Sequence, residues 1–132
     1  MVVDTSVWID YFNNYPSWQA QRLKKAIEEN ERIILPGIVL TEILLGLSSD
    51  KQADKISKLL TAFDSPEELT NADYQNAAKI YRTCRKSGVT IRSTIDCLIA
   101  TICLKGDYSL LGKDRDFESI ALYFPLQNVV HN

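Results

Sequence analysis

The segment Val2-Val3-Asp4-Thr5-Ser6-Val7-Trp8-Ile9-Asp10-Tyr11-Phe12 decides how this chain begins to fold. Two β-branched residues, Val2 and Val3, read as a short buried strand. Val7, Trp8, Ile9, Tyr11 and Phe12 read as further core, carried on a short helical stretch. Between strand and helix stands a carboxylate, Asp4, followed by the hydroxyls Thr5 and Ser6. A strand running straight into a helix is the opening of an α/β layer fold. In such folds ligands bind where the chain leaves the carboxyl ends of the strands, and Asp4 stands at that place.

Working outward, strands and helices keep alternating. Pro16-Ser17 opens a helix with Trp18, Leu23, Ala26 and Ile27 inward, closed by Asn30. Arg32-Ile33-Ile34-Leu35 reads as a second short strand ended by Pro36-Gly37. The nearly all-apolar run from Ile38 to Leu47 is too long for a strand and reads as a helix closed by Gly46. Ala53, Ile56, Leu60 and Phe63 recur at helical spacing, with Asp50 as cap and Ser65-Pro66 as stop. Thr70-Asn71-Ala72-Asp73 has the form of a capping box. It opens a helix expected to carry Tyr74, Ala77, Ala78, Tyr81 and Cys84 on one face. Val89 to Ile91 reads as a brief extended piece and Ser93 to Lys105 as a helix ended by Gly106. Tyr108 to Leu111 is a third strand, Phe117 to Leu122 a short helix, and Leu126 to Val130 a last extended stretch. No repeat or linker divides the chain, so residues 1–132 are expected to form one domain with a mostly parallel central sheet.

Composition narrows the chemistry. With 45% hydrophobic and 24% charged residues the chain has ordinary soluble composition. No apolar run approaches the roughly 18 residues of a membrane span. The first residues lack the basic and apolar regions of a signal peptide, so a cytoplasmic location is expected. The 3 cysteines, Cys84, Cys97 and Cys103, form no CxxC pair and suggest neither a disulfide framework nor a zinc knuckle. The 1 histidine, His131, stands next to the last residue, which suits neither a Ser-His-Asp triad nor an HExxH site. Hydrolytic chemistry would therefore run on carboxylates. A net charge of −2 excludes a generally basic nucleic-acid binder. The clusters Arg22-Leu23-Lys24-Lys25 and Arg82 to Lys86, with Arg92 behind, each read as a solvated helix face.

The acids that break the apolar pattern share an edge. Asp4 follows the first strand, and Asp114 and Asp116 follow the third, in Leu110-Leu111-Gly112-Lys113-Asp114-Arg115-Asp116-Phe117. Asp96 falls in the first turn of its helix. Glu42 lies about 7.5 Å along the axis of its own. A parallel sheet sets all of them near one rim. Taken singly, most have a local explanation: an Asx turn at Asp4, a capping box between Ser93 and Asp96, turn or cap duty for Asp114 and Asp116. Glu42 has none, because Ile38, Val39, Leu40, Ile43, Leu44 and Leu45 surround it and a charge there is costly unless paired. Two carboxylates about 4 Å apart repel by roughly 4 kcal/mol at an effective dielectric near 20. A converging set needs a proton, an Arg or Lys, or a divalent cation. Oxygen ligands alone select a hard ion, magnesium or manganese, over zinc. Metal-assisted phosphodiester hydrolysis is then the natural reaction class.

Four segments in order resemble one family: Val2 to Phe12, Leu40-Thr41-Glu42 to Leu47, Thr90 to Cys103, and Leu110 to Ala121. They resemble the PIN-domain ribonucleases, and within them the VapC-type toxins of bacterial toxin–antitoxin pairs. The resemblance implies an α/β, PIN-like sandwich with a central, mostly parallel sheet flanked by helices. It implies an endoribonuclease that uses Mg2+, with Mn2+ as a substitute. Asp4, Glu42 and Asp96 match the family's first three acids, and the fourth comes from the turn where both Asp114 and Asp116 stand. Asp4 and Asp96 are then the direct metal ligands, Asp114 or Asp116 holds the same or a second ion, and Glu42 orients or deprotonates the attacking water. Thr5 or Ser6 would hold a water at the metal. Lys113 departs from the small polar residue common in relatives. The implied partners are an RNA substrate, a second copy of the chain and a cognate antitoxin, with no membrane. The antitoxin's C-terminal segment would lie in an apolar groove and push a basic side chain among the acids; Trp8, Ile9, Tyr11, Phe12, Leu44, Leu45 and Leu47 are candidates to line it, with core as their default reading.

Two other classes use similar residues. A magnesium-dependent aspartyl phosphoacceptor or phosphatase of the dehalogenase type needs an acid two residues after the first, where Ser6 stands. A receiver-type phosphoacceptor needs an acidic pair that Asp4 lacks. A non-catalytic binding module that kept its acids for structure would melt at a temperature indifferent to magnesium.

Overall fold

The computed structural model describes residues 1–132. Its sheet is made of very short strands: β1 (Val2–Val3), β2 (Ser109–Leu111) and β3 (Gln127–Asn128), ordered β1-β2-β3 and all parallel. Val2 pairs with Leu110 and Val3 with Leu111, and each of these side chains is 0% exposed. Burial on both faces explains why the strands read as unbroken apolar runs rather than alternating ones. Beyond β1 the parallel pairing continues through two single bridges, Val2 to Ile34 and Ile34 to Asp64.

That is less than the second strand expected over Arg32 to Leu35. Ile34 donates its N–H to Met1 O, Leu35 donates to Asp64 O, and Ile33 O accepts from Asp64 N. Successive residues thus turn to different neighbours, and Pro36 has no N–H with which to continue a ladder.

Seven helices cover the sheet: α1 (Thr5–Phe12), α2 (Trp18–Glu28), α3 (Gly37–Leu45), α4 (Asp50–Leu60), α5 (Asn71–Lys86), α6 (Thr94–Gly106) and α7 (Arg115–Ala121). Ser17 caps α2 by accepting from Ala20 N at 3.1 Å. The capping box at Thr70 and Asp73 forms in both directions. At α4 the cap is Ser49, not Asp50, with its hydroxyl accepting from Gln52 N. Ser49 has the extended backbone a cap requires, and Asp50 is already helical, where its charge suits the first turn. The helix stops at Leu60, well before Ser65-Pro66, because the chain must leave it for Asp64 to reach Ile33 and Leu35. On α5 the buried stripe is Ala77, Ile80 and Cys84, while Tyr74 and Tyr81 face outward. Val89 to Ile91 joins no strand.

The core gathers Trp8, Leu23, Ile34, Ile99, Leu110, Leu111, Phe117 and Ile120 between the sheet and its helices. Trp8, read as core from the sequence, is 1% exposed and packs on Phe12 and Phe63 with ring centroids 6.0 and 5.2 Å away. Of the residues considered for an apolar groove it is therefore the one that drops out, because an indole on the inner side of so short a helix fills the core.

Candidate metal centre

Asp4 is set by the sheet. Its N–H donates to Leu111 O at 2.9 Å, the last rung between β1 and β2, so its side chain emerges at the carboxyl edge. It occupies the N-cap position of α1 with extended backbone, yet makes no side-chain cap bond. Its Oδ2 accepts from the Ser6 hydroxyl at 3.0 Å instead. Burial pushes its pKa up, the Ser6 hydroxyl pulls it back, and the charges of Glu42 and Asp114 push it up again.

Asp96 is carried in by the first turn of α6. The expected capping box fails there: Ser93 Oγ accepts from Ile95 N at 3.2 Å, and Asp96 returns no bond to Ser93. Only 9% exposed, it lies close enough to Asp4, Asp114, Asp116 and Glu42 to feel all four charges. Burial first, and then these charges, push its pKa to about 7.

The turn after β2 supplies two carboxylates held in different ways. Asp114 caps α7, its Oδ1 accepting from Asp116 N at 2.9 Å. Asp116 is 6% exposed and accepts from Arg92 N at 3.0 Å, which ties the turn to the segment entering α6. One carboxylate oxygen from each of Asp96, Asp114 and Asp116 lies within 4.8 Å of the others. Both acids of the turn therefore reach Asp96. Gly112 permits this packing and was not singled out from sequence. A Cβ there would sit 2.9 Å from Phe117 Cδ2 and 3.7 Å from Asp4 Cβ. The available signal was a glycine placed directly between a buried strand and an acidic turn.

Glu42 completes the group from α3. It is half-buried, and its Oε1 accepts from the Thr5 hydroxyl at 2.7 Å. The protons of Thr5 and Ser6 are thus both engaged by carboxylates, which leaves their oxygens as acceptors. Lys113 turns away: its ammonium donates to Asp10 Oδ2 at 2.7 Å and lies 5.3 Å from the centre of the Tyr15 ring. The four ion pairs of the chain involve Glu31, Asp64, Asp73 and Asp10, and none involves an acid of this rim. Closely spaced carboxylates with no lysine or arginine among them, and with no nitrogen or sulfur ligand, fit a hard divalent cation.

The PIN domain family model matches residues 1–122. VapC ribonuclease Mb1587 of Mycobacterium bovis is 33% identical to this chain over 128 residues, which cover 96% of each protein. Ribonuclease VapC11 of Mycobacterium tuberculosis matches to the same extent, 33% over 128 residues. Among solved structures, VapBC2 from Rickettsia felis, bound to a DNA fragment from its promoter, superposes with a TM-score of 0.74 at 17% identity, over 97% of this chain and 96% of that one. VapBC-1 from nontypeable Haemophilus influenzae gives 0.73 at 22% identity, over 97% and 95%. The structural likeness carries the fold and the sequence match carries the lineage. On both, this chain belongs to the PIN-domain family and, within it, to the VapC ribonucleases.

Proposed function

We propose that residues 1–132 work as one PIN-like nuclease domain, a divalent-metal-dependent endoribonuclease that is the toxin of a VapBC-type pair. The observation that carries this reading is the cluster of Asp96, Asp114 and Asp116, with one oxygen of each within 4.8 Å of the others and Asp4 and Glu42 near enough for their charges to act on Asp96, while every paired lysine and arginine points elsewhere. Asp4, Asp96, Asp114 and Asp116 would hold Mg2+, or Mn2+ in its place. When bound, such an ion offsets their repulsion and polarises a phosphodiester.

The chain's own residues do the rest. The bond from Arg92 N to Asp116 and the cap bond from Asp116 N to Asp114 hold two carboxylates in place, so little side-chain freedom is lost on binding. Thr5 fixes one oxygen of Glu42, leaving the other to orient the attacking water and accept its proton. Gly112 brings the acidic turn down onto Asp4 and Phe117. A phosphoacceptor role has no comparable support: Ser6 stands where a second acid is needed, and Lys113 faces Asp10.

Restraint of such an enzyme falls to an antitoxin. The exposed Ile9 and Leu45, at 41% and 78%, with half-buried Tyr11, Phe12, Leu44 and Leu47 beside them, suit an apolar antitoxin segment. A basic side chain at its end would meet the acids. A second copy of the chain suits the α5–α6 face, where a depression of about 430 Å³ is lined by Tyr74, Ala78, Tyr81 and Leu98. No helix is long and apolar enough to cross a membrane, and the proposed site of action is the cytoplasm.

The test is digestion of total RNA by the purified protein in magnesium and in EDTA, with cleavage ends mapped. Defined ends that vanish in EDTA are expected. Intact RNA in both, or cutting indifferent to EDTA, overturns the reading.

A further inference from the structure

The carboxyl edge carries a second feature that the acid chemistry does not use. Because β3 runs parallel to β2, residues 129–132 leave the sheet on the same side as Asp4 and the 112–116 turn. There the His131 imidazole stacks on the Trp18 indole, with centroids 4.9 Å apart and planes 4° from parallel. His131 is exposed and Trp18, half-buried, backs it. The two rings help wall a depression of about 580 Å³ that also takes in Lys25 and Arg22. Arg22 is committed to Glu31 at 2.9 Å, whereas Lys25 makes no ion pair and acts on Glu31 only from farther away. Lys113, next to Asp114 in the chain, is engaged by Asp10 and lies over the ring of Tyr15, three residues before Trp18 in the sequence.

Resting on the nuclease reading, we propose that this ledge binds single-stranded RNA flanking the cleaved bond, with a base on the outer face of His131 and a phosphate at Lys25. An RNA strand is repelled by five carboxylates and by a net charge of −2, so its grip must come from local cations beside the pocket. A flat aromatic face with a neighbouring cation is the sequence-tolerant way to hold an unpaired base. A basic antitoxin segment would meet repulsion here, and its apolar anchors have their own surface at Ile9 and Leu45.

The experiment uses the Asp96→Asn full-length protein and a fluorescein-labelled single-stranded RNA of about a dozen nucleotides, followed by anisotropy. His131→Ala, Trp18→Ala and Lys25→Ala are each expected to weaken binding by about fivefold or more, the low end for loss of one base–aromatic stack. His131→Ala, close to the chain end, tests this without disturbing the core. Lys55→Ala on α4 makes the same charge change and should leave affinity unaltered. RNA should also change Trp emission, and Trp18→Phe should abolish that change, since Trp8 is 1% exposed. In the cleaving protein His131→Ala should raise KM without lowering kcat. Unchanged affinity in all three variants, or no RNA binding by the parent, overturns the proposal. So does an emission change produced by an oligolysine peptide and not by RNA. RNA bound through these residues but never cut by the wild-type chain would sink the nuclease reading alone, and cutting with unaltered variants would sink the ledge alone.

Discussion

Asp4 and Asp10 stand at the two ends of one short stretch, yet they live in opposite electrostatic settings. At Asp10 burial raises the pKa, but the ammonium of Lys113, together with the Ser17 hydroxyl, outweighs it and leaves the carboxyl below its ordinary value. At Asp4 burial also raises the pKa, and only the Ser6 hydroxyl and the Thr5 N–H, neither of them a cation, oppose it. Lys113 adjoins Asp114 in the chain, within reach of the acid cluster on its flexible stem, and it serves Asp10 instead. The chain thus supplies cations to carboxylates around its surface and withholds them from the rim. Such an arrangement is costly for stability, and a proton or a divalent cation relieves it.

This contrast can be broken by experiment. The largest effect is expected at the rim: Asp96→Asn should cut RNA cleavage by at least about 100-fold, the upper end of what losing even an outer partner of a metal ligand costs. The same variant should melt no lower than the wild type in EDTA, because it removes a buried charge repelled by four others. An active Asp96→Asn protein would erase the difference between the rim acids and the lysine-paired Asp10.

Next comes the ion itself. Magnesium at about a hundredfold excess over its Kd should stabilise the wild type by about 2.7 kcal/mol. Asp10→Asn should keep that gain and Asp96→Asn should lose most of it, as read by thermal melts.

A smaller effect follows from pH. In EDTA the folded protein holds the Asp96 proton up to about pH 7, whereas the unfolded chain releases it near 3.8. The folded state therefore binds more protons in that window, and stability should fall as pH rises from about 4 to about 7. Urea melts across the range should show this slope flattened in Asp96→Asn. The Asp10–Lys113 pair acts in the other direction, since a lowered carboxyl favours folding above its unfolded pKa. Lys113→Ala should change stability least, by under about 1 kcal/mol, since the lysine is partly exposed and water screens such pairs. A larger loss would mean that Lys113 also steadies the acidic turn.

Much of the architecture was readable because it is local. A β-branched pair before a carboxylate announces β1 and the sheet edge, and Ser17 and Thr70 announce helix starts through hydrogen bonds spanning three residues. The resemblance across four segments pointed to the PIN fold, and the convergence of the five acids was expected from parallel topology. What failed did so where a distant partner decides. Arg32 to Leu35 has the composition of a strand but only a single pairing on each side at Ile34. Tyr74 and Tyr81 share the helical period of Ala77 and Cys84, yet packing against α6 turned the stripe toward Ile80.

By itself the sequence determined the order of strands and helices, the placing of acids at strand ends and first turns, and the lack of nitrogen and sulfur ligands among them. Only the tertiary structure decided that Asp114 and Asp116 both reach Asp96, that Thr5 orients Glu42, that Lys113 turns to Asp10 and that His131 lies on Trp18. The reason is physical. Periodicity and capping are written in neighbours a few residues apart, whereas these contacts join residues between 18 and 113 positions apart along the chain and exist only once the core has brought them together.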